Sequence, residues 1–370
     1  MIQSDIKIGV IGCGRVAGHH CRSITATPGV SLAATCDTDA EKSQAHGAEF
    51  DVPSYTNYNQ MLKQHSDIDV IAIVTPSGMH AEHAQEIIGN HRRHIIVEKP
   101  TFMRPSQLDT VYDLAGANNC RVFPVFQNRY NKAVRRVKHA LDNGELGDIR
   151  LVNVRLRWCR PQRYYDMAAW RGTFSHDGGA LTNQGIHHVD LLRHLGGEVE
   201  TITATMRTLG ADIDVEDSVV ATLTYATNAI GSLEVTTAAR PDDFEASISI
   251  VGSEGLAQLG GIAVNELQIF TPNPAACAQN SVDFKSVTGH GAVYGFGHGD
   301  MYADIVADFA ETKPYPVSRE DCRATLTLLH AFYRSDESGG PVVVQDGGES
   351  GRLGRPDDAI SKLYRTPEHE

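Results

Sequence analysis

The 370-residue sequence lacks the usual signatures of membrane, secreted and metal-binding proteins. No apolar run approaches the ~20 residues that a membrane-spanning helix needs, and no basic segment precedes a long apolar stretch near Met1. The seven cysteines are odd in number, scattered and never spaced as Cys-x-x-Cys, and no His-Glu-x-x-His sequence occurs. These absences disfavour disulfide frameworks and common zinc sites. We therefore expect a cytoplasmic protein with no metal site and no membrane contact.

Positive charge is also scarce, because 33 lysines and arginines face 46 acidic residues and leave a net charge of -13. This balance disfavours a broad nucleic-acid surface. The hydrophobic share of 41% and the charged share of 21% are typical of a folded chain, and the length favours two domains. We expect no nucleic-acid partner, and any anionic partner requires a local concentration of positive charge.

The first third of the chain has the pattern of a parallel α/β sheet. Short β-branched runs alternate with helical stretches, and the runs are almost continuously apolar, as in strands that helices cover on both faces. The predicted strands are 6–11, 30–36, 68–75, 94–98 and 121–126. We assign residues 1–128 to this N-terminal domain.

After a helix near 131–143, strands follow one another through short turns, which indicates a mixed or antiparallel sheet in an α+β domain. The predicted strands are 150–159, 201–208, 218–225, 229–237, 246–251, 256–259 and 267–270, and helices near 298–311 and 319–335 complete this domain. We assign residues 129–345 to it and 346–370 to a mobile or surface-lying C-terminal arm. The fold class is α/β followed by α+β.

The first predicted strand runs directly into the sequence Gly12-Cys13-Gly14-Arg15-Val16-Ala17. This is a G-x-G-x-x-A turn, in which backbone amides and a helix N-terminus receive a pyrophosphate. The second strand ends at Asp37, 25 residues beyond Gly12, where a carboxylate can bind ribose hydroxyls and repel a 2′-phosphate. The pattern predicts a site for NAD rather than NADP. The alternative is a glycine-rich turn with no ligand.

Two further strands end in polar residues at the sheet edge where open α/β folds bind ligands. One is followed by Thr75-Pro76 and the other by Glu98-Lys99-Pro100. A lysine at such a position becomes a general base when burial or a nearby cation lowers its pKa. The alternative is a surface lysine paired with Glu98.

The segment 183–195 carries a narrow polar stripe on an otherwise apolar helix. At 100° per residue Asn183, His187, Asp190 and His194 share one side. Such a stripe is either a solvated face or the wall of a cleft.

Residues 150–171 supply the local positive charge, with six arginines against the single acidic residue Asp166. Guanidinium groups suit phosphate and carboxylate, and the nearby Tyr164 can stack on a base or sugar. Arg160 and Arg163 follow the predicted strand end and are the candidate anion ligands, with Arg129 as a third. The alternative is an arginine-rich subunit interface.

Three motifs together resemble one enzyme family. They are the 12–17 turn, Glu98-Lys99-Pro100 and the segment 178–190 with Gly178-Gly179 and His187-x-x-Asp190, and the resemblance to the GFO/IDH/MocA oxidoreductases spans roughly residues 5 to 340. The resemblance implies a Rossmann domain that binds a nicotinamide dinucleotide and an open-faced sheet domain that holds a sugar or cyclitol. The segment 158–187 is similar to one branch, the dehydrogenases that oxidise the 3-hydroxyl of UDP-N-acetylglucosaminuronic acid for bacterial surface polysaccharides. Family members commonly have Asp where this chain has Asn183.

The resemblance leaves Lys99 and His187 as the expected catalytic residues. The expected cofactor is NAD, and its expected ligands are Gly12, Gly14, Arg15, Val16, Ala17, Asp37, Thr75, Pro76, His80, Glu98, Lys99 and Gln127. The expected substrate is an anionic nucleotide sugar, and its expected ligands are Lys99, Arg129, Arg160, Arg163, Tyr164, Asn183 and His187. The alternatives are a cyclitol or sugar-phosphate dehydrogenase and a non-catalytic dinucleotide-binding regulator. We also expect a homo-oligomer, a dimer or tetramer formed through the C-terminal sheet.

Overall fold

The computed structural model describes residues 5–282, 295 and 297–366 and divides them into two compact units. The first unit combines residues 5–125, 298–322 and 356–366. The second unit combines residues 126–282, 295, 297 and 323–355. The units are therefore not contiguous in the chain, unlike the predicted segments 1–128, 129–345 and 346–370.

The first unit contains a six-stranded sheet in which all neighbouring strands are parallel. Its order is β3-β2-β1-β4-β5-β6, the arrangement of a Rossmann fold. The strands are β1 (Ile6–Ile11), β2 (Val30–Cys36), β3 (Ser54–Tyr55), β4 (Val70–Ile73), β5 (His94–Val97) and β6 (Val122–Pro124). The predicted α/β domain is confirmed.

The helices between these strands begin where the sequence supplies caps. Asp39 and Asn57 each accept two backbone N–H bonds at a helix start, and Pro105 occupies the first turn of another helix. The helices are α1 (Ala17–Ala26), α2 (Ala40–Phe50), α3 (Tyr58–Gln64), α4 (His80–Glu86) and α5 (Pro105–Ala117).

Residues 298–322 join the first unit because their side chains pack on β6 and its neighbours. Asp308 accepts a 2.7 Å bond from Arg121, Phe309 packs against Phe123 with ring centroids 5.7 Å apart, and the Tyr315 hydroxyl donates to the Pro124 carbonyl over 2.7 Å. Helix periodicity alone does not encode these long-range contacts, so the sequence assigned this segment to the other domain.

The second unit contains an eight-stranded mixed sheet of order β13-β12-β11-β7-β10-β9-β8-β14. Only β7 and β10 run parallel among the neighbouring pairs of the described residues. The strands are β7 (Ile149–Arg157), β8 (Val199–Arg207), β9 (Ser218–Tyr225), β10 (Ile230–Thr236), β11 (Glu245–Gly252), β12 (Leu256–Gly260), β13 (Glu266–Phe270) and β14 (Val342–Val343). Burial alternates along β8 and β9, as expected when one face packs and the other is open.

The remaining helices are α6 (Lys132–Asp142), α7 (Gln162–Tyr165), α8 (Ile186–Gly196), α9 (Ala276–Asn280), α10 (Gly297–Phe309), α11 (Arg319–Ser338) and α12 (Asp358–Ser361). Helix α8 packs on β7 and is preceded by a π-helical turn, Ala180–Gln184. No helix among the described residues is long and apolar enough to cross a membrane.

Candidate functional site

The G-x-G-x-x-A turn has the geometry that a dinucleotide requires. Gly12 has φ +90°, and a Cβ there would lie 2.6 Å from the Val74 carbonyl oxygen, so no other residue fits. A Cβ at Gly14 would meet nothing within 4 Å, which leaves open space beside the exposed Arg15. Val16 precedes α1, which begins at Ala17. The backbone of the turn and the N-terminus of α1 therefore border open space, which a pyrophosphate site requires.

Asp37 lies against this turn. Its Oδ2 accepts the Cys13 N–H over 2.7 Å, and its Oδ1 accepts the Asp39 N–H over 2.9 Å. These two bonds fix the carboxylate at the end of β2. The residues present therefore fit the adenosine half of a dinucleotide, because a fixed carboxylate can also accept bonds from ribose hydroxyls.

His80 hydrogen-bonds to the loops that follow two strands, one at Thr75-Pro76 and one at Lys99-Pro100. Its Nδ1 lies 2.9 Å from the Pro100 carbonyl oxygen and its Nε2 lies 2.9 Å from the Thr75 carbonyl oxygen. The ring is buried, and burial lowers its pKa. The structure thus places His80 between the loop at Thr75-Pro76 and the loop at Lys99-Pro100, where it fixes both backbones.

Glu98 lies in a buried cluster with two histidines that no sequence motif had marked. Its Oε1 is 2.9 Å from His20 Nε2 and 3.6 Å from His298 Nε2. Its Oε2 accepts the backbone N–H of Lys99 over 2.9 Å. Burial raises the pKa of Glu98, but hydrogen bonds from the two histidines outweigh burial and hold that pKa well below its usual range. The cluster holds the backbone at the half-buried Lys99.

In the second unit, His187 is buried and lies beside Gln127. The side-chain nitrogen of Gln127 is 3.1 Å from His187 Nε2. Because an amide nitrogen donates, His187 accepts at Nε2 and carries its proton on Nδ1. Gln127, expected to contact the cofactor, thus orients this histidine.

Asn183 lies in the π-helical turn before α8 and donates from its side-chain amide to Asp177 Oδ1. The other oxygen of Asp177 accepts the Gly172 N–H over 2.8 Å. Sequence reasoning missed Asp177, although its position directly before Gly178-Gly179 marks it as an acidic residue of the same motif. The chain thus has a buried carboxylate bonded to Asn183.

Arg129 forms a buried two-pronged ion pair with Asp190. Its Nε donates to Oδ2 over 2.7 Å and its Nη2 donates to Oδ1, and the Thr325 hydroxyl also donates to Oδ1 over 3.0 Å. Asp190 therefore belongs to a fixed network rather than to an exposed polar stripe. Arg129 as a substrate ligand stays a prediction.

The arginines of 150–171 divide into paired and unpaired groups. Arg160 Nη1 donates to Asp243 over 2.8 Å, whereas the exposed Arg163 makes no side-chain hydrogen bond or ion pair to the residues that the structure describes. Arg171 donates to the Tyr164 hydroxyl and lies 4.2 Å from the centre of that ring. Gln184 also donates to the Tyr164 hydroxyl, over 3.1 Å. Tyr164 thus connects this cationic segment to the turn that carries Asn183.

Family comparisons agree with these features. A model of an oxidoreductase family with an NAD-binding Rossmann fold matches residues 6–126, and a model of the GFO/IDH/MocA C-terminal domain matches residues 134–258. The chain belongs to the GFO/IDH/MocA family. It is an NAD-dependent oxidoreductase.

Two solved members of the family match nearly the whole chain. The WlbA dehydrogenase from Bordetella pertussis, in complex with NADH and UDP-GlcNAcA, is 34% identical with a TM-score of 0.85 and covers 93% of this chain and 99% of its own. The WlbA enzyme from Chromobacterium violaceum, in complex with the same two ligands, is 32% identical with a TM-score of 0.83. The match covers 93% of this chain and 97% of the Chromobacterium chain. A levoglucosan dehydrogenase of Pseudarthrobacter phenanthrenivorans is 25% identical over 92% of this chain and 91% of its own.

Proposed function

We propose that the protein uses NAD to oxidise the 3-hydroxyl of UDP-linked N-acetylglucosaminuronic acid to the 3-keto sugar, in the synthesis of a bacterial surface polysaccharide. The observation that carries the proposal is the similarity to two WlbA dehydrogenases at 34% and 32% identity, both crystallised with NADH and UDP-GlcNAcA. Curated relatives at lower identity act on other compounds, such as levoglucosan at 25%. The substrate is therefore the part of the proposal that needs testing.

In this proposal the first unit holds the cofactor. The 12–17 turn and the start of α1 bind its pyrophosphate, Asp37 binds the adenosine ribose, and the loop at Thr75-Pro76 completes the site. Bound NAD supplies the hydride acceptor.

Lys99 takes the proton from the substrate 3-hydroxyl. The half-buried position of Lys99 favours this role, because desolvation makes a lysine easier to deprotonate. Its backbone is fixed by Glu98 and the loop by His80. His187, in the second unit, hydrogen-bonds the sugar, and its Nε2 accepts from the Gln127 amide.

The substrate carries a diphosphate and a carboxylate, which the chain must bind despite its net charge of -13. Screening over about 8 Å at physiological salt hides distant acidic residues from the site. Arg163 has an exposed guanidinium without a partner among the described residues, and Asp243 already neutralises Arg160. Arg163 is therefore the stronger candidate for a substrate anion.

The test measures NADH formation with three compounds: UDP-GlcNAcA, the same nucleotide sugar without the uronic carboxylate, and glucose 6-phosphate. We expect turnover with the first alone. Preference for glucose 6-phosphate would replace the proposal by a sugar-phosphate dehydrogenase, and no NADH with any sugar nucleotide would favour a dinucleotide-binding regulator.

A variant tests the charge argument separately. We expect Arg163→Ala to raise the KM for UDP-GlcNAcA about tenfold or more, because a hydrogen bond to a charged group contributes about 1.5–3 kcal/mol. Arg150→Ala is the matched control, since Arg150 is also an exposed arginine of the same segment. Equal KM values for both variants and the parent would remove Arg163 from the site.

A further inference from the structure

The C-terminal arm, defined here as residues 356–366, packs on the first unit. Asp357 caps its short helix α12 by accepting the N–H groups of Ala359 and Ile360. Arg365 then binds Glu82 through two bonds, Nε to Oε1 over 2.6 Å and Nη2 to Oε2 over 2.9 Å. Glu82 lies in the first turn of α4, which follows the loop at Thr75-Pro76. The arm is therefore tied to the helix next to the cofactor loop.

One cavity joins this arm to the adenosine end of the cofactor site. Its walls include Gly12, Asp37, Thr75 and Pro76 from the motifs above together with Tyr364 and Thr366 from the arm. Its volume is about 50 Å³, whereas ligand pockets usually measure about 300–1,000 Å³. The arm thus borders the adenosine subsite, and Tyr364 has to turn aside before adenosine fits there.

We propose that the C-terminal arm is a movable wall of the adenosine subsite, in which Tyr364 contacts the adenine of bound NAD and the Arg365–Glu82 pair holds the arm in place. NAD enters and leaves only when this pair opens. The arm lies outside the two segments that the family models match, 6–126 and 134–258. The inference concerns NAD alone and does not depend on the proposed sugar.

The chemistry of the contacts suits a reversible closure. The side chains of Arg365 and Glu82 are both 40% exposed, and exposed ion pairs are weak and screened by salt. Tyr364 is only half-buried, so its ring can stack on a purine when the arm shifts. A neighbouring pair, Lys362 with Asp358, lies on the arm itself and does not involve α4. Arg365 also donates to Asp358 over 2.7 Å within the arm, so loss of Lys362 serves as the control that weakens pairing inside the arm while its tie to Glu82 stays.

The experiment measures NADH association and dissociation rate constants by stopped-flow fluorescence on the full-length protein. We expect Arg365→Ala to raise both rate constants by up to about fivefold, the upper end of what an exposed ion pair contributes. Lys362→Ala should leave both unchanged. Wild-type rates should rise with salt, and Arg365→Ala should lose that dependence. If Arg365→Ala has wild-type rates at every salt concentration, the arm does not gate the site.

Tyr364 is tested with NADH and with ADP-ribose, which lacks the nicotinamide. We expect Tyr364→Ala to raise the dissociation rate of both ligands by about tenfold, the lower part of the range for a base stacked on an aromatic ring, and Tyr364→Phe to retain the wild-type value. Unchanged dissociation in Tyr364→Ala would overturn the adenine contact. Tighter binding by Tyr364→Ala would also overturn it, because the arm would then compete with adenine.

Discussion

Glu98 and Lys99 are neighbours in the chain but lie in different surroundings. Glu98 is 4% exposed and is bonded to His20 Nε2 over 2.9 Å, so its carboxylate is a fixed part of the first unit. Lys99 is half-buried and follows the end of β5. One motif therefore supplies both a rigid support and, in the proposed mechanism, the group that moves a proton.

The role of Lys99 predicts a selective loss of chemistry. We expect Lys99→Ala to lower kcat by about 10² to 10⁴, the usual contribution of a general base. The NAD dissociation constant should change little, because the proposal assigns the pyrophosphate to the 12–17 turn and the adenosine ribose to Asp37. Steady-state kinetics and a fluorescence titration with NADH measure the two effects.

Lys99→Arg separates proton transfer from charge, because a guanidinium keeps the positive charge but does not release its proton at working pH. We expect this variant to be as slow as Lys99→Ala. His187→Ala should cost less than either. If His187→Ala were slower than Lys99→Ala, the roles of the two residues would have to be exchanged.

At the scale of elements, the π-helical turn Ala180–Gln184 is shaped by a buried carboxyl group. Gly178 and Gly179 have φ +78° and +85°, and a Cβ at Gly179 would lie 2.3 Å from Glu216 Oε2. Glu216 Oε1 accepts the Tyr333 hydroxyl over 2.8 Å and the Leu181 N–H over 3.1 Å. Gly179 is therefore required because Glu216 packs directly against it, whereas a Cβ at Gly178 would lie 2.6 Å from Thr182 Cγ2 in the turn that carries Asn183.

This carboxyl predicts a pH dependence of stability. Burial raises the pKa of Glu216 from 4.5 to about 8 and outweighs the bond from Tyr333. Between these pH values the folded chain keeps a proton that the unfolded chain releases. The free energy of unfolding should therefore fall as pH rises, by up to about 1.4 kcal/mol per pH unit.

Urea unfolding of the parent and of Glu216→Gln at about pH 6 and about pH 8, both between the ordinary pKa of 4.5 and the raised pKa of about 8, measures the effect. The uncharged amide cannot ionise, so the variant should lose most of the slope. Glu200→Gln, at an exposed position, should retain it. An unchanged slope in Glu216→Gln would contradict the raised pKa.

For the whole molecule, patterns within short segments were predictable and pairings between distant segments were not. The bounds of β1 and β2 match the predicted runs 6–11 and 30–36, because continuous apolar runs identify buried parallel strands. The two-residue strand β3 has no such run and was missed. The 298–322 segment was misplaced because contacts such as Phe309 with Phe123 leave no mark in local sequence.

The candidate site shows the same limit. The turn at Gly12 and the carboxylate of Asp37 follow from local motifs, and the structure joins them through the Cys13 N–H. The six arginines of 150–171 looked equivalent in sequence, but their acidic partners lie far along the chain. Asp243, which binds Arg160, is 83 positions away. Only three-dimensional pairing distinguishes Arg163 from Arg160.

The open face of the second sheet bears on the assembly of the molecule. Val220 and Ile230 project from β9 and β10 and are 60% and 57% exposed. Val220 lies opposite Glu234 in the register of the two strands, and Arg157 binds Glu234 over 2.6 Å and Glu245 over 3.1 Å. Apolar side chains next to fixed ion pairs on a flat sheet are typical of a subunit interface. They support the proposal that the protein forms a homo-oligomer through this face.

Val220→Asp tests this proposal. Val220 lies opposite Glu234 in the register of β9 and β10, so a carboxylate introduced there would be buried at the contact beside a like charge, which costs far more than the contact gains. We therefore expect the variant to sediment as a monomer at concentrations where the parent is a dimer or tetramer. Val220→Thr keeps the shape and the β-branched stem without a charge and should still assemble. Sedimentation velocity measures both. If Val220→Asp assembles like the parent, or if the parent is itself a monomer, this face is not a subunit interface, and its exposed valine and isoleucine need another partner.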